Sequence, residues 1–122
     1  MLKNELYKIN SIAHNEGTIE ASLQINKNNE IFKGHFPGHP VLSGACMLQI
    51  VKEVLEGSLD KSVQLKKADY IKFLVIVDPA RNNILQIKLI YKITDNNNIL
   101  VTASLVAEND ICFKFHGLFI AL

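Results

Sequence analysis

Gly34-His35-Phe36-Pro37-Gly38-His39-Pro40-Val41-Leu42-Ser43-Gly44-Ala45-Cys46-Met47-Leu48-Gln49 divides into two halves of opposite character. The first half is punctuated by glycine and proline and carries two histidines. Proline removes a backbone donor and disfavours helix in the residue before it, so this half reads as a loop. Ser43 is a suitable N-cap, because its hydroxyl can take an N–H of the first helical turn. After Gly44 nothing interrupts a helix until about residue 56. The polar positions Gln49, Lys52, Glu53 and Glu56 form one narrow stripe, and the rest of the circumference is apolar. Such a helix belongs inside a core. Gly57 reads as its C-terminal stop. A histidine-bearing loop thus feeds the N–H-rich, positive end of a buried helix. Free N–H groups there can hold a developing oxyanion, and a neighbouring histidine can move a proton near neutral pH.

The stretch His35-Phe36-Pro37-Gly38-His39-Pro40-Val41, with Gly44 in register, resembles the 3-hydroxyacyl-(acyl carrier protein) dehydratases. Those are hot-dog proteins, in which a curved antiparallel sheet wraps one long helix. Asn29-Glu30-Ile31-Phe32 is similar to the family's lead-in to the histidine motif. Asp69-Tyr70-Ile71-Lys72-Phe73 is similar to a later strand segment, with lysine for arginine. The sequence departs from the family at two places. Ser43 stands where proline is usual, and Gln49 stands where a catalytic Glu or Asp is found.

The chain has 122 residues, 48% of them hydrophobic, with a net charge of +1. The length fits one domain, residues 1–122, with enough apolar material for a core. The charge gives no electrostatic case for nucleic acid or an anionic membrane. No apolar run reaches the length of a membrane span. The first residues lack the apolar region of a signal peptide, so the expected location is the cytoplasm. Cys46 and Cys112 are isolated in apolar runs and read as small buried hydrophobes.

Around the central stretch the pattern is that of strands. Residues 7–13 and 18–25 alternate and suggest a hairpin; in the second, Ile19, Ala21, Leu23 and Ile25 share one face. Ile31 and Phe32 are expected to pin a short turn. Residues 62–77 read as one long strand, with Lys66-Lys67 breaking its alternation at a bulge. Residues 84–93, 99–107 and 111–121 follow after short polar turns. Leu85, Ile87, Leu89, Tyr91 and Ile93 are expected on one face of the first of these. Consecutive strands with short turns imply an antiparallel meander. The expected class is α+β, hot-dog-like, with the helix on one face of the sheet.

The resemblance implies a set of site residues. His35 would be the base. The Gly44 N–H, with Ala45 beside it, would contact the thioester oxygen. Phe36 and Gly38 are further substrate-contact candidates, and Gln49 occupies the acid position. Glutamine does not ionise and cannot serve as a general acid. Glu53, one turn along the same stripe, is expected in solvent or bridged to a lysine, and Asp69 is expected to be structural. His39 is read as partly exposed, and His14 and His116 are assigned no role. His35 and His39 lack a helix between them and a third ligand, so no metal is expected, and no other cofactor is implied.

The implied partners are an acyl carrier protein or CoA thioester and a second copy of the chain, as a homodimer or an assembly of dimers. A hot-dog hetero-partner is the further possibility. The implied activity is conversion of a 3-hydroxyacyl thioester to the 2-enoyl thioester. The alternatives are a non-catalytic or acyl-binding hot-dog subunit and, with less support, a hot-dog thioesterase. On this reading Gln49→Glu is expected to raise the dehydration rate.

Overall fold

The computed structural model describes residues 2–32 and 41–122. The elements run β1 (Tyr7–Asn15), β2 (Thr18–Ile25), a 3-10 turn (Glu30–Phe32), α1 (Gly44–Leu59), β3 (Val63–Phe73), β4 (Ile84–Ile93), β5 (Asn98–Ala107) and β6 (Asp110–Ala121). The six strands form one antiparallel sheet in the order β1-β2-β4-β5-β6-β3. One helix on one six-stranded antiparallel sheet is the hot-dog arrangement that the motif implies.

Alternation decides which face of the sheet meets the helix. Ile19, Ala21, Leu23 and Ile25 of β2 are buried, as are Leu85, Ile87 and Leu89 of β4 and Ile99, Val101 and Leu105 of β5. Phe113, Phe115 and Phe119 of β6 complete this floor. Against it α1 buries Cys46, Met47, Ile50, Val51, Val54 and Leu55. A fully buried Leu, Ile or Phe contributes about 1.5–3 kcal/mol, so these two faces dominate the stability. Tyr91 continues this face half-buried against the core, as expected, but Ile93 runs past it and is exposed.

The structure corrects the sequence reading at four points. The helix does not stop at Gly57. It continues to Leu59 and ends at Asp60, whose left-handed backbone (φ 53°) returns an N–H to the Glu56 carbonyl. Nothing lies within 4 Å of a Cβ built at exposed Gly57, so the site only loses about 1 kcal/mol of helix propensity there. The strands are not a single meander. β4, β5 and β6 are consecutive neighbours, but β3 crosses to the far edge beside β6 and β2 lies against β4. The third strand ends at Phe73, not residue 77. It has the bulge expected at Lys66-Lys67, between Leu65 and Lys67, and a second between Ala68 and Tyr70. Glu53, finally, is neither in solvent nor bridged to a lysine; it is 3% exposed inside the helix face.

Candidate active site

The helix start is built by its cap. Ser43 is extended (φ −71°, ψ 156°), and its hydroxyl accepts from the Cys46 N–H at 3.1 Å. The Met47 N–H goes to the Ser43 carbonyl at 3.1 Å. That leaves the N–H groups of Gly44 and Ala45 without a partner among the described residues. A first helical turn has no intrahelical acceptor for them. They are the pair expected to meet a thioester oxygen.

A groove of about 260 Å³ opens beside this turn. It is floored by Leu42 and Met47 and walled by residues 73–76 of the chain leaving β3. The Phe73 ring lies directly over Gly44. A Cβ at Gly44 would overlap that ring, with Phe73 Cδ1 at 2.9 Å. Glycine at this position therefore lets an aromatic ring approach the helix backbone. The sequence points to the Gly44 backbone but not to its contact with Phe73, which only the fold creates. The only signal was the Asp69–Phe73 likeness, which places Phe73 in a family segment without saying what it covers.

His35, Phe36 and Gly38, with His39, lie outside the described residues. Gln49 is described, and it is half-buried. It stands five residues after Gly44, about 140° round the helix at 3.6 residues per turn. Ala45 is one turn before Gln49 on the same side of the helix. Gln49 Nε2 donates to Glu53 Oε2 at 2.8 Å.

Glu53 is the centre of a hydrogen-bonded cluster. It accepts from the Leu2 N–H at 2.9 Å, the Lys3 N–H at 2.9 Å and the Tyr7 hydroxyl at 3.1 Å. Burial opposes its charge, but the donors from Leu2, Gln49, Lys3 and Tyr7 outweigh that and hold its carboxyl below the usual value. Tyr7 is pushed the other way by burial, then by the Glu53 charge and their hydrogen bond, so it remains a neutral donor. The pairing of Gln49 with Glu53 was legible from their i,i+4 spacing. The donors from Leu2, Lys3 and Tyr7 were not, since they lie 46 to 51 residues away in sequence.

His14 Nε2 meets the Tyr91 hydroxyl at 2.7 Å. His116 sits on the outer face, with Thr102 Oγ1 at 2.8 Å and Asp69 at 3.5 Å, and Asp69 also pairs with Lys67. Cys46 and Cys112 are buried free thiols, and burial raises the Cys112 thiol. No cluster of His, Cys, Asp or Glu suited to a metal occurs among the described residues. None of their helices is long and apolar enough to cross a membrane.

The family model described as ApeI-like, ApeI dehydratase, matches residues 11–116. The 3-hydroxyacyl-(acyl-carrier-protein) dehydratase FabZ of Pediococcus pentosaceus is 28% identical over 102 residues, 78% of this chain and 68% of that protein. The same enzyme of Wolbachia pipientis wMel is 32% identical over 79 residues, 57% of this chain; the match spans about half (53%) of the relative's length. Among solved structures, the dehydratase heterocomplex ApeI:P from Xenorhabdus doucetiae superposes with a TM-score of 0.73 at 16% identity, covering 92% of this chain and 96% of that one.

Proposed function

We propose, for a chain that belongs to the ApeI-like dehydratase family, elimination of water from a 3-hydroxyacyl thioester to give the 2-enoyl thioester. The observation that carries this reading is the pair of N–H donors at Gly44 and Ala45 beside an apolar groove. The thioester oxygen accepts from these donors, which stabilises enolate-like charge. His35 takes the C2 proton. The electron pair released at C2 forms the C2=C3 double bond as the C3–O bond breaks, and hydroxide departs. The proton that turns hydroxide into water comes from solvent, because Gln49 has none to give. The acyl chain arrives on phosphopantetheine, from acyl carrier protein or CoA. The elimination is redox-neutral and balances without a cofactor.

The test is an assay with a 3-hydroxyacyl-CoA, following enoyl product and free thiol together. Enoyl product without thiol is expected, with His35→Ala inactive. A positioned general acid contributes about 10²–10⁴-fold, so turnover should fall short of acid-bearing relatives by that order. Thiol release without enoyl product would replace this reading with a thioesterase. The second reading is an acyl-binding subunit without turnover of its own, and the engagement of Gln49 by Glu53 favours it. Its signature is activity that appears only when an acid-bearing hot-dog chain is added.

The site as proposed is shared with a second copy, because the family resemblance puts the histidine of one subunit opposite position 49 of the other. Edge strand β3 is where that copy docks. An open strand edge invites pairing. Here Phe73 is 59% exposed and Ile76, just beyond the strand, 76%. Sedimentation at micromolar concentration should give a dimer, and Ile76→Lys should shift it toward monomer and lower turnover. A wild-type monomer would remove the shared site.

A further inference from the structure

The Gln49 amide has two ends, and the structure commits one of them. Its Nε2 donates to Glu53 Oε2 at 2.8 Å, while Oε1 accepts no hydrogen bond among the described residues. The orientation is forced, because an ionised carboxylate only accepts and the amide nitrogen must face it. Glu53 in turn cannot swing away. Its oxygens also hold the Leu2 and Lys3 N–H groups and the Tyr7 hydroxyl, and the residue is 3% exposed.

We propose that Glu53 is a positioning residue for position 49. It fixes the amide nitrogen against the next helical turn and leaves Oε1 as the acceptor offered to a ligand. This rests on the dehydratase reading only for the ligand's identity. On that reading the donor is the 3-hydroxyl of the acyl chain, which Gln49 recognises without protonating. Saturated acyl chains have no such donor. The same geometry dictates what a carboxyl at position 49 would do. Tyr7 faces Glu53 from β1, and Lys3 and His14 line a cavity of about 270 Å³ with it. Tyr7 stays neutral, so the nearest charge to position 49 is Glu53 itself. Two carboxyls at this spacing repel each other when both are charged, so residue 49 would hold its proton to higher pH than an ordinary carboxylate. Gln49→Glu therefore installs a carboxyl that holds its proton above the ordinary range only while Glu53 is present, and the sequence expectation of a gain in rate becomes conditional on Glu53.

Two measurements test this. The first needs no ligand: carbon-13 NMR titration of glutamate carboxyls in Gln49→Glu. Residue 49 should titrate at least about one unit above an ordinary carboxylate. Adding Glu53→Gln, which keeps an acceptor for the Leu2, Lys3 and Tyr7 donors, should return it to the ordinary range. An ordinary titration in Gln49→Glu, or an equal one in both variants, would overturn the proposal. The second uses the His35→Ala protein, in which bound hydroxyacyl ester persists. It should bind 3-hydroxyoctanoyl-CoA about 2–10-fold more tightly than octanoyl-CoA, the worth of one hydrogen bond. Glu53→Gln should erase that preference, and a preference that survives it would also overturn the proposal. If the titration shift appears and neither ester binds, Glu53's positioning of residue 49 stands and the acyl-thioester reading falls.

Discussion

Gly117→Val is expected to cost about 3 kcal/mol or more and to leave little soluble protein. Gly117 sits in β6, paired with Ala68 of β3 on one side and Val101 of β5 on the other. The two bulges of β3, at 65/67 and 68/70, press that strand's backbone over it. A Cβ there would overlap the Lys67 carbonyl oxygen and stand 2.7 Å from Phe115 Cζ and 3.1 Å from Ala68 Cα. A flexible side chain could move aside, but strand backbone cannot do so without breaking ladder hydrogen bonds. Valine adds two methyl groups to that overlap, beyond the usual 1–3 kcal/mol of overpacking. Thermal denaturation should show a fall of more than about 10 °C. Gly57→Ala is the control of opposite sign, with open space at the Cβ and helical backbone. It should stabilise by about 0.5–1 kcal/mol. A Gly117→Val protein that melts with wild type would mean β3 does not bulge over β6.

These two glycines show where sequence reading reached its limit. Gly57 was legible as a helix-ending residue because glycine favours that position. The helix nonetheless continues, because Leu59 still packs against the core and Asp60 takes the left-handed cap instead. Gly117 carried no signal at all, since its constraint comes from a strand some fifty positions earlier. The same distinction holds for the sheet. Alternation within β2, β4 and β5 was readable because it is local. That β3 lies beside β6 is a long-range choice, made by which edge buries Val63 and Phe113. Local pattern alone favoured the nearer neighbour.

The candidate site divides similarly. Ser43, Gly44 and Ala45 were legible because capping and orphan N–H groups depend on three or four consecutive residues. Phe73 over Gly44 and Leu2 on Glu53 depend on chain segments meeting in space. Glu53 is the instructive case. A glutamate on a polar helix stripe reads as solvated, and desolvating a carboxylate is costly. It is buried because the N-terminal segment supplies the donors that replace water.

Those donors make Glu53→Ala the second large effect. The substitution leaves the Leu2 and Lys3 N–H groups, the Tyr7 hydroxyl and the Gln49 amide without their acceptor. An unsatisfied buried donor costs about 1–3 kcal/mol, and the N-terminal segment, once released from Glu53, can rehydrate some of them, so about 2–4 kcal/mol is expected. Glu53→Gln should cost less, because one side-chain oxygen remains. The sign of the pH dependence separates charge from packing. The folded carboxyl is held below its ordinary value, so its contribution is complete above the unfolded carboxylate range. It is lost as pH falls through the depressed folded value. The gap in urea midpoint between wild type and Glu53→Gln should therefore be smaller at about pH 3 than at about pH 7, narrowing as the wild-type carboxyl takes up its proton. A gap that stays constant between the two pH values would assign Glu53 a packing role alone. It would also remove the fixed charge on which the orientation of Gln49 depends.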